Sequence, residues 1–303
     1  MDQPELATDL DSPRTPGPPA LLAAFLVAGL VMNGACTGEG DGAADGPAPS
    51  STTAPTSDEV DGLFALADGR ELYLRCTGAG SPTVILEGGD DDDSSSYQFA
   101  EAQLAATTRT CVYDRANLGR SDADPRCRGL EEIVTDLEQL LSAAEVPAPY
   151  VLVGTSGGGH ITVGYAVDHP EQVTGMVLVE VPPPFPDPPR WLVAETRCDA
   201  PGNVESRDFL QVERDAWDTR REVGDIPVTV ISNQYGPDEV AAAPAFERAL
   251  IRDNVERQQG WLVLSPDAEQ VVVHTGHAVE EADPQLVVDA ILDVVDAARG
   301  AGS

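Results

Sequence analysis

Residues 150–160 read YVLVGTSGGGH, four hydrophobic residues running into a serine set among glycines. A short apolar run bounded by glycine predicts a buried strand, and the HITVGYAVDHPEQ that follows predicts a helix. A strand that ends in G-x-S-x-G and turns straight into a helix puts the serine in a strained backbone conformation, with glycines letting neighbouring chain approach closely. Ser156 would then stand clear of the sheet. The helix opening at Gly157 would aim its first amides and positive dipole end at the hydroxyl. The plainer alternative for Ser156 is a turn residue that caps the helix.

From about residue 60 onward, β-rich runs alternate with helical ones. Strands are expected at LFALA, ELYLRC, TVILEG, TCVYD, YVLVGT, GMVLVE, IPVTVIS and QVVVH. Helices are expected at about 96–107, 129–145, 157–169, 241–259 and 284–298. The alternation predicts an α/β fold with a mostly parallel eight-stranded sheet flanked by helices. A proline-rich insertion, about 181–225, fits neither period. No internal repeat is present.

Several segments in this order resemble the α/β-hydrolase superfamily, in its serine hydrolase or esterase-like branch, over roughly residues 65–300. SPTVILEGG is similar to its third strand and oxyanion turn, and TRTCVYDRANLGRSD to its fourth strand and the turn after it. YVLVGTSGGG is similar to the nucleophile elbow and VTGMVLVEVPPP to the sixth strand. VVVHTGHAVEEADPQLVVDAI is similar to the last strand, histidine loop and closing helix. Two departures stand out: Thr155 replaces a histidine often found before the serine, and the usual His-Gly of the oxyanion turn reads Gly88-Gly89.

The resemblance implies Ser156 as nucleophile. A serine hydroxyl needs an imidazole to take its proton and return it to the leaving group. Of four histidines, His277 follows Gly276 in a loop before a helix, as the family's base does. His274 would end a buried strand, His169 would cap a helix end, and His160 would pack one turn beyond Ser156. The acid is either Glu180, after the sixth strand, or Asp238, after the seventh. Where the family normally places its acid, this chain has Ser232, Asn233 and Gln234. Oxyanion amides would come from Gly157 and from the turn after ILEGG, at Asp90 or Gly89. Gly89 also lines the substrate site, with Phe185, Trp191, Leu192 and Phe209 as apolar wall residues of a lid formed by the insertion. Asp90 to Asp93 are expected to be a solvated run, with a calcium site as the alternative. No metal or organic cofactor is required.

The implied activity is hydrolysis of a small, uncharged carboxylic ester or related acyl compound. A serine nucleophile argues against the branches that need a carboxylate nucleophile. The second reading is a surface protein that keeps the fold without turnover and serves as a binding module.

The chain has 303 residues, enough for one sizeable core, and a formal charge of −34. All 18 basic residues are arginines, and residues 61–303 keep 43 of the acids and 17 of the arginines, a charge of −26. Nucleic-acid binding is disfavoured, because a phosphate backbone needs a basic face. Anionic substrates are disfavoured by Asp90 to Asp93 beside the site. Residues 21–31, LLAAFLVAGLV, have the length of a signal h-region. Gly34-Ala35-Cys36 resembles a bacterial lipobox despite Asn33. The chain is therefore expected to carry a signal peptide over 1–35, a lipid anchor at Cys36, a flexible tether over 36–60 and a hydrolase domain over 61–303, exported to the cell surface. Plain secretion is the alternative. Four cysteines remain, which suggests disulfides in an exported chain. Because the fold makes the second and fourth strands neighbours, the resemblance implies Cys76 with Cys111 and Cys127 with Cys198.

Overall fold

The structure is a computed structural model that describes residues 59–182, 197–200, 202–245 and 248–301. All eight expected strands are present: β1 (Val60–Ala65), β2 (Glu71–Thr77), β3 (Thr83–Glu87), β4 (Thr110–Tyr113), β5 (Tyr150–Thr155), β6 (Val173–Val179), β7 (Val228–Asn233) and β8 (Ala268–Val273). They form one sheet in the order β1-β2-β4-β3-β5-β6-β7-β8. The β1–β2 and β2–β4 pairs are antiparallel, and the remaining pairs are parallel. Buried on both faces, β3, β4, β5 and β7 read as continuous apolar or small-residue runs rather than alternations.

Helices cover the two faces. Helix α1 (Gln98–Ala105) contributes to one core layer together with the closing helix at the chain's end. Helices α2 (Leu130–Ala143) and α3 (Gly158–Asp168) fill the other. Helix α3 is buried from Gly158 to Val167, so it is apolar or small all round, as a helix enclosed by sheet and neighbours must be. His169 is its C-terminal flanking residue, as expected, with its N–H on the Tyr165 carbonyl.

Two helix expectations are corrected. The insertion contains a regular helix, α4 (Phe209–Thr219), whose start is capped by Asp208 accepting from the Gln211 N–H at 2.9 Å. The single helix expected over 241–259 is instead α5 (Pro237–Ala242), α6 (Arg248–Arg252) and α7 (Asn254–Gln258), with a 3₁₀ turn over Gln259–Leu264. Pro244 lacks the N–H that a continuous helix would need. The chain ends with α8 (Val279–Ala282) and α9 (Pro284–Ala301).

Both expected disulfides are formed. Cys76–Cys111 joins directly opposed residues of β2 and β4. Cys127–Cys198 ties the loop after β4 to the insertion. The same loop and insertion also meet as backbone: Arg128 and Arg207 form a bridge, with Arg128 N–H on Ser206 O at 3.1 Å and Asp208 N–H on Arg128 O at 2.8 Å.

Candidate active site

Ser156 follows the last residue of β5 and has φ of 48°, a left-handed conformation costly for a residue with a Cβ. Its N–H is held by the Val179 carbonyl at 2.9 Å, which fixes the turn against β6. Gly154 lets α3 pack close: a methyl built there would stand 2.6 Å from the Gly159 Cα. The expected elbow is therefore the observed backbone.

The sequence places the four histidines in four different settings, and the structure brings one of them to the serine. His277 Nε2 lies 3.0 Å from Ser156 Oγ, in the loop between β8 and α8. His274 is exposed, with Nδ1 3.1 Å from the Gln234 carbonyl. His160 is buried, with Nε2 2.9 Å from the Pro182 carbonyl and its ring against Trp261.

On its other side, His277 Nδ1 lies 4.0 Å from Glu180 Oε1, close enough for charge attraction and too far for a hydrogen bond. Glu180 is buried, and at φ of 50° it too is held in the left-handed region. Its carboxylate is oriented by two donors: Asn233 N–H gives to Oε2 at 2.6 Å and Asn254 Nδ2 to Oε1 at 2.7 Å. Asp238, the alternative acid, is exposed in the first turn of α5.

Asn233 stands at the end of β7, where a carboxylate would have been looked for. Its side-chain Oδ1 accepts the backbone N–H groups of Thr275 at 2.8 Å and Gly276 at 3.0 Å, and so pins the loop that presents His277. An asparagine at that strand end was visible in the sequence. Its use as a loop anchor was not, because the partners lie more than 40 residues away.

The turn after β3 departs from the expectation of a solvated acidic run. Asp92 Oδ2 accepts the Gly89 N–H at 3.1 Å, and burial raises this carboxyl above its ordinary range. Asp91, whose N–H goes to Glu205 Oε1 at 2.9 Å, is pushed up to about 6 by burial and by the neighbouring Glu205 and Asp90 charges. Asp90 is ion-paired with Arg207, and its carboxylate lies over Gly157. Asp90 is drawn inward by the counter-charge of the buried Arg207. Arg115 holds the turn from below, donating to the carbonyls of Gly88 at 2.8 Å and Gly89 at 2.6 Å and pairing with Glu87 and Glu205. Burial would raise the Glu205 carboxyl, but Arg115 and then Arg207 hold it down at about 2.

Gly157, Asp90 and Gly89, the expected oxyanion and substrate-site residues, are thus all adjacent to Ser156; a methyl on Gly89 would be 3.5 Å from Ser156 Cβ. Phe209, from the expected wall, opens α4 with its ring 5.1 Å from the Arg207 guanidinium. Phe185, Trp191 and Leu192 lie outside the described residues, as do Cys36 and residues 1–35, where a signal peptide is expected.

Residues 82–195 match the family model described as the alpha/beta hydrolase fold. A protein of Bacillus subtilis named as the uncharacterized protein YqjL is 25% identical over 227 residues, covering 72% of this chain and 85% of that protein. A pimeloyl-[acyl-carrier protein] methyl ester esterase of Chromobacterium violaceum is 34% identical over 139 residues, 45% of this chain and 51% of the esterase. Among solved structures, a thermophilic esterase from Thermogutta terrifontis superimposes with a TM-score of 0.60 at 18% identity, covering 80% of this chain and 99% of that one.

Proposed function

We propose, from the match of residues 82–195 to the alpha/beta hydrolase fold and the shared architecture of the solved esterase, that the chain is an exported serine hydrolase that cleaves a small, uncharged carboxylic ester or related acyl substrate. One observation carries the reading. Ser156 Oγ, on a strained strand-to-helix turn, is within 3.0 Å of His277 Nε2. In the proposed reaction His277 takes the serine proton as Oγ attacks the acyl carbon, then gives it to the leaving alcohol. Water repeats the cycle to release the acid. Glu180 holds the imidazole through Nδ1. Its 4.0 Å separation has to shorten in the substrate complex, as such contacts commonly do when a free site becomes occupied. The Gly157 amide at the start of α3, with Asp90 or Gly89 from the turn after β3, receives the oxyanion.

Export rests on the apolar run 21–31 with Cys36 behind it, and on two disulfides, which persist in oxidising compartments. Anchoring through a lipid on Cys36 is the corresponding proposal for location.

The alternative, a binding module without turnover, draws on Asp92 occupying the Gly89 N–H, an amide the oxyanion would need. One experiment separates the two readings. The chain is exposed to a fluorophosphonate probe and to a chromogenic acetate ester. Labelling at Ser156, with labelling and ester turnover both lost in Ser156→Ala, is the expected result. An unlabelled native chain, or ester turnover surviving in Ser156→Ala, overturns the serine-hydrolase reading.

A further inference from the structure

Four consecutive aspartates follow the turn that would receive an oxyanion, and the first of them lies over the expected donor. A methyl built on Gly157 would be 2.6 Å from Asp90 Oδ2. Negative charge that develops on a substrate oxygen in this site would form near that carboxylate. In general, two like charges about 5 Å apart at an effective dielectric near 20 repel enough to slow a step that creates one of them by roughly 10²-fold, so the Asp90 charge needs compensation.

The compensation comes from a residue far away in sequence. Arg207 belongs to the insertion, yet its guanidinium is 1% exposed and pairs with Asp90 through Nη1. The same nitrogen lies 3.7 Å from Glu205 Oε1, and Nη2 donates to the Gly157 carbonyl at 3.4 Å. One side chain therefore touches both halves of the oxyanion site, the turn after β3 and the elbow after β5. Its own backbone is held firmly: Asn203 accepts the Arg207 N–H at 3.1 Å and donates to the Arg207 carbonyl at 2.7 Å, and the isolated β-bridge to Arg128 holds the backbone on its other side. The Cys127–Cys198 disulfide closes the same junction.

We propose that Arg207 is a positioning residue for the oxyanion site, which neutralises Asp90 and fixes it over Gly157 so that an acidic turn can serve a reaction that develops negative charge. The role rests on the hydrolase reading above. It also assigns the insertion a task in the chemistry apart from covering the substrate. The contact is electrostatic and precedes catalysis; Arg207 transfers no proton and forms no bond to substrate.

The test is a charge-compensation cycle on the full chain with a chromogenic acetate ester. Arg207→Gln leaves Asp90 unpaired and is expected to lower kcat about 100-fold with KM within about threefold. Its affinity for a trifluoromethyl ketone, which forms an oxyanion-bearing adduct, should fall in parallel. Adding Asp90→Asn to Arg207→Gln removes the opposing charge and should recover at least tenfold in kcat, a rescue that a merely structural arginine would not give. Should Arg207→Gln not fold, as judged by circular dichroism, Arg207→Lys carries the test: it keeps the charge, and turnover within about tenfold of the native chain is expected.

Native turnover in Arg207→Gln, a double variant no better than the single one, or a folded Arg207→Lys depressed 100-fold would each overturn the proposal while leaving Ser156 labelling intact. A native chain that fluorophosphonate does not label would instead remove the hydrolase reading, and this inference with it.

Discussion

Gly154→Ala isolates the packing that presents Ser156, the proposed nucleophile. The new methyl would stand 2.6 Å from the Gly159 Cα and from Thr162 Oγ1, and 3.0 Å from the Gly159 nitrogen. Two of those neighbours are backbone of α3, so no side-chain rotation relieves them. Carbon atoms settle at about 3.5–4.0 Å, so the first turn of α3 must move away from β5 by about 1 Å. Overpacking of this kind costs about 1–3 kcal/mol. For a folded unit of this size that corresponds to a fall in Tm of roughly 2–12 °C. The larger effect falls on turnover, because the same turn carries Ser156 and the Gly157 amide. A misplacement of about 1 Å can cost on the order of 10²-fold in rate. Gly62→Ala is the control, since a methyl there meets nothing nearer than 4.0 Å. Melting followed by circular dichroism, with ester kinetics at a temperature where every variant is folded, reads both effects. A Gly154→Ala protein with native Tm and turnover within twofold would refute the argument that this glycine sets the elbow.

Glu180→Gln should lower kcat by about 10²–10⁴-fold with little change in Tm, whereas Asp238→Asn should stay within about twofold; ester kinetics showing the reverse would move the acid to the β7 side. Replacing Cys127 and Cys198 together by alanine opens a link across 71 positions. Chain entropy puts its contribution at about 4 kcal/mol, to be read from urea midpoints, with unchanged midpoints counting against it. Glu205, held down at about 2 against an ordinary 4.5, lends stability that is complete above pH 4.5 and is lost as pH falls toward 2. The stability gap between the native chain and Glu205→Gln should therefore narrow between pH 5.5 and 2.5; a gap independent of pH would contradict the pairing with Arg115. Cys36→Ala should release the protein from membranes without altering ester turnover, and an intact mass showing no added lipid on the native chain would cancel the anchor.

Much of the fold was legible because its signals are local. Eight short apolar runs, most bounded by Gly, Pro or Asp, fell in an order that only a few topologies accommodate, and YVLVGTS followed by glycines announced a strand turning into a helix. The position of His277 beside Ser156 was legible from a glycine before it and a helix after it. The failures were of two kinds. Breaks such as Pro244, set among helix formers, turned one long expected helix into three short ones, and a well-patterned α4 was lost in a proline-rich neighbourhood. The inward turn of Asp90 and Asp92 was invisible for a different reason. A run of aspartates reads as solvated when considered alone, and Arg207, which draws Asp90 in, is 117 positions away from it, while Arg115, which holds the backbone of the turn, is 25 positions away. Pairing across such distances leaves no periodic trace.

The placement of Glu180 and Asn233 bears on how such sites change over time. The two residues end adjacent parallel strands, β6 and β7, so the fold offers two neighbouring seats for a single acid, one strand spacing apart. In this chain one seat holds the carboxylate, and the other holds an amide that has taken up a second duty, anchoring the Thr275–Gly276 backbone. That second duty makes the arrangement hard to reverse. A lineage moving its acid to β7 through Asn233→Asp would first place two carboxylates side by side, raising the pKa of one of them. The new aspartate could still accept from the loop amides, but a carboxylate committed to them is less free to face the imidazole. The present seating is therefore buffered against single substitutions, and relatives with the acid on β7 would be expected to hold their histidine loop by some other means.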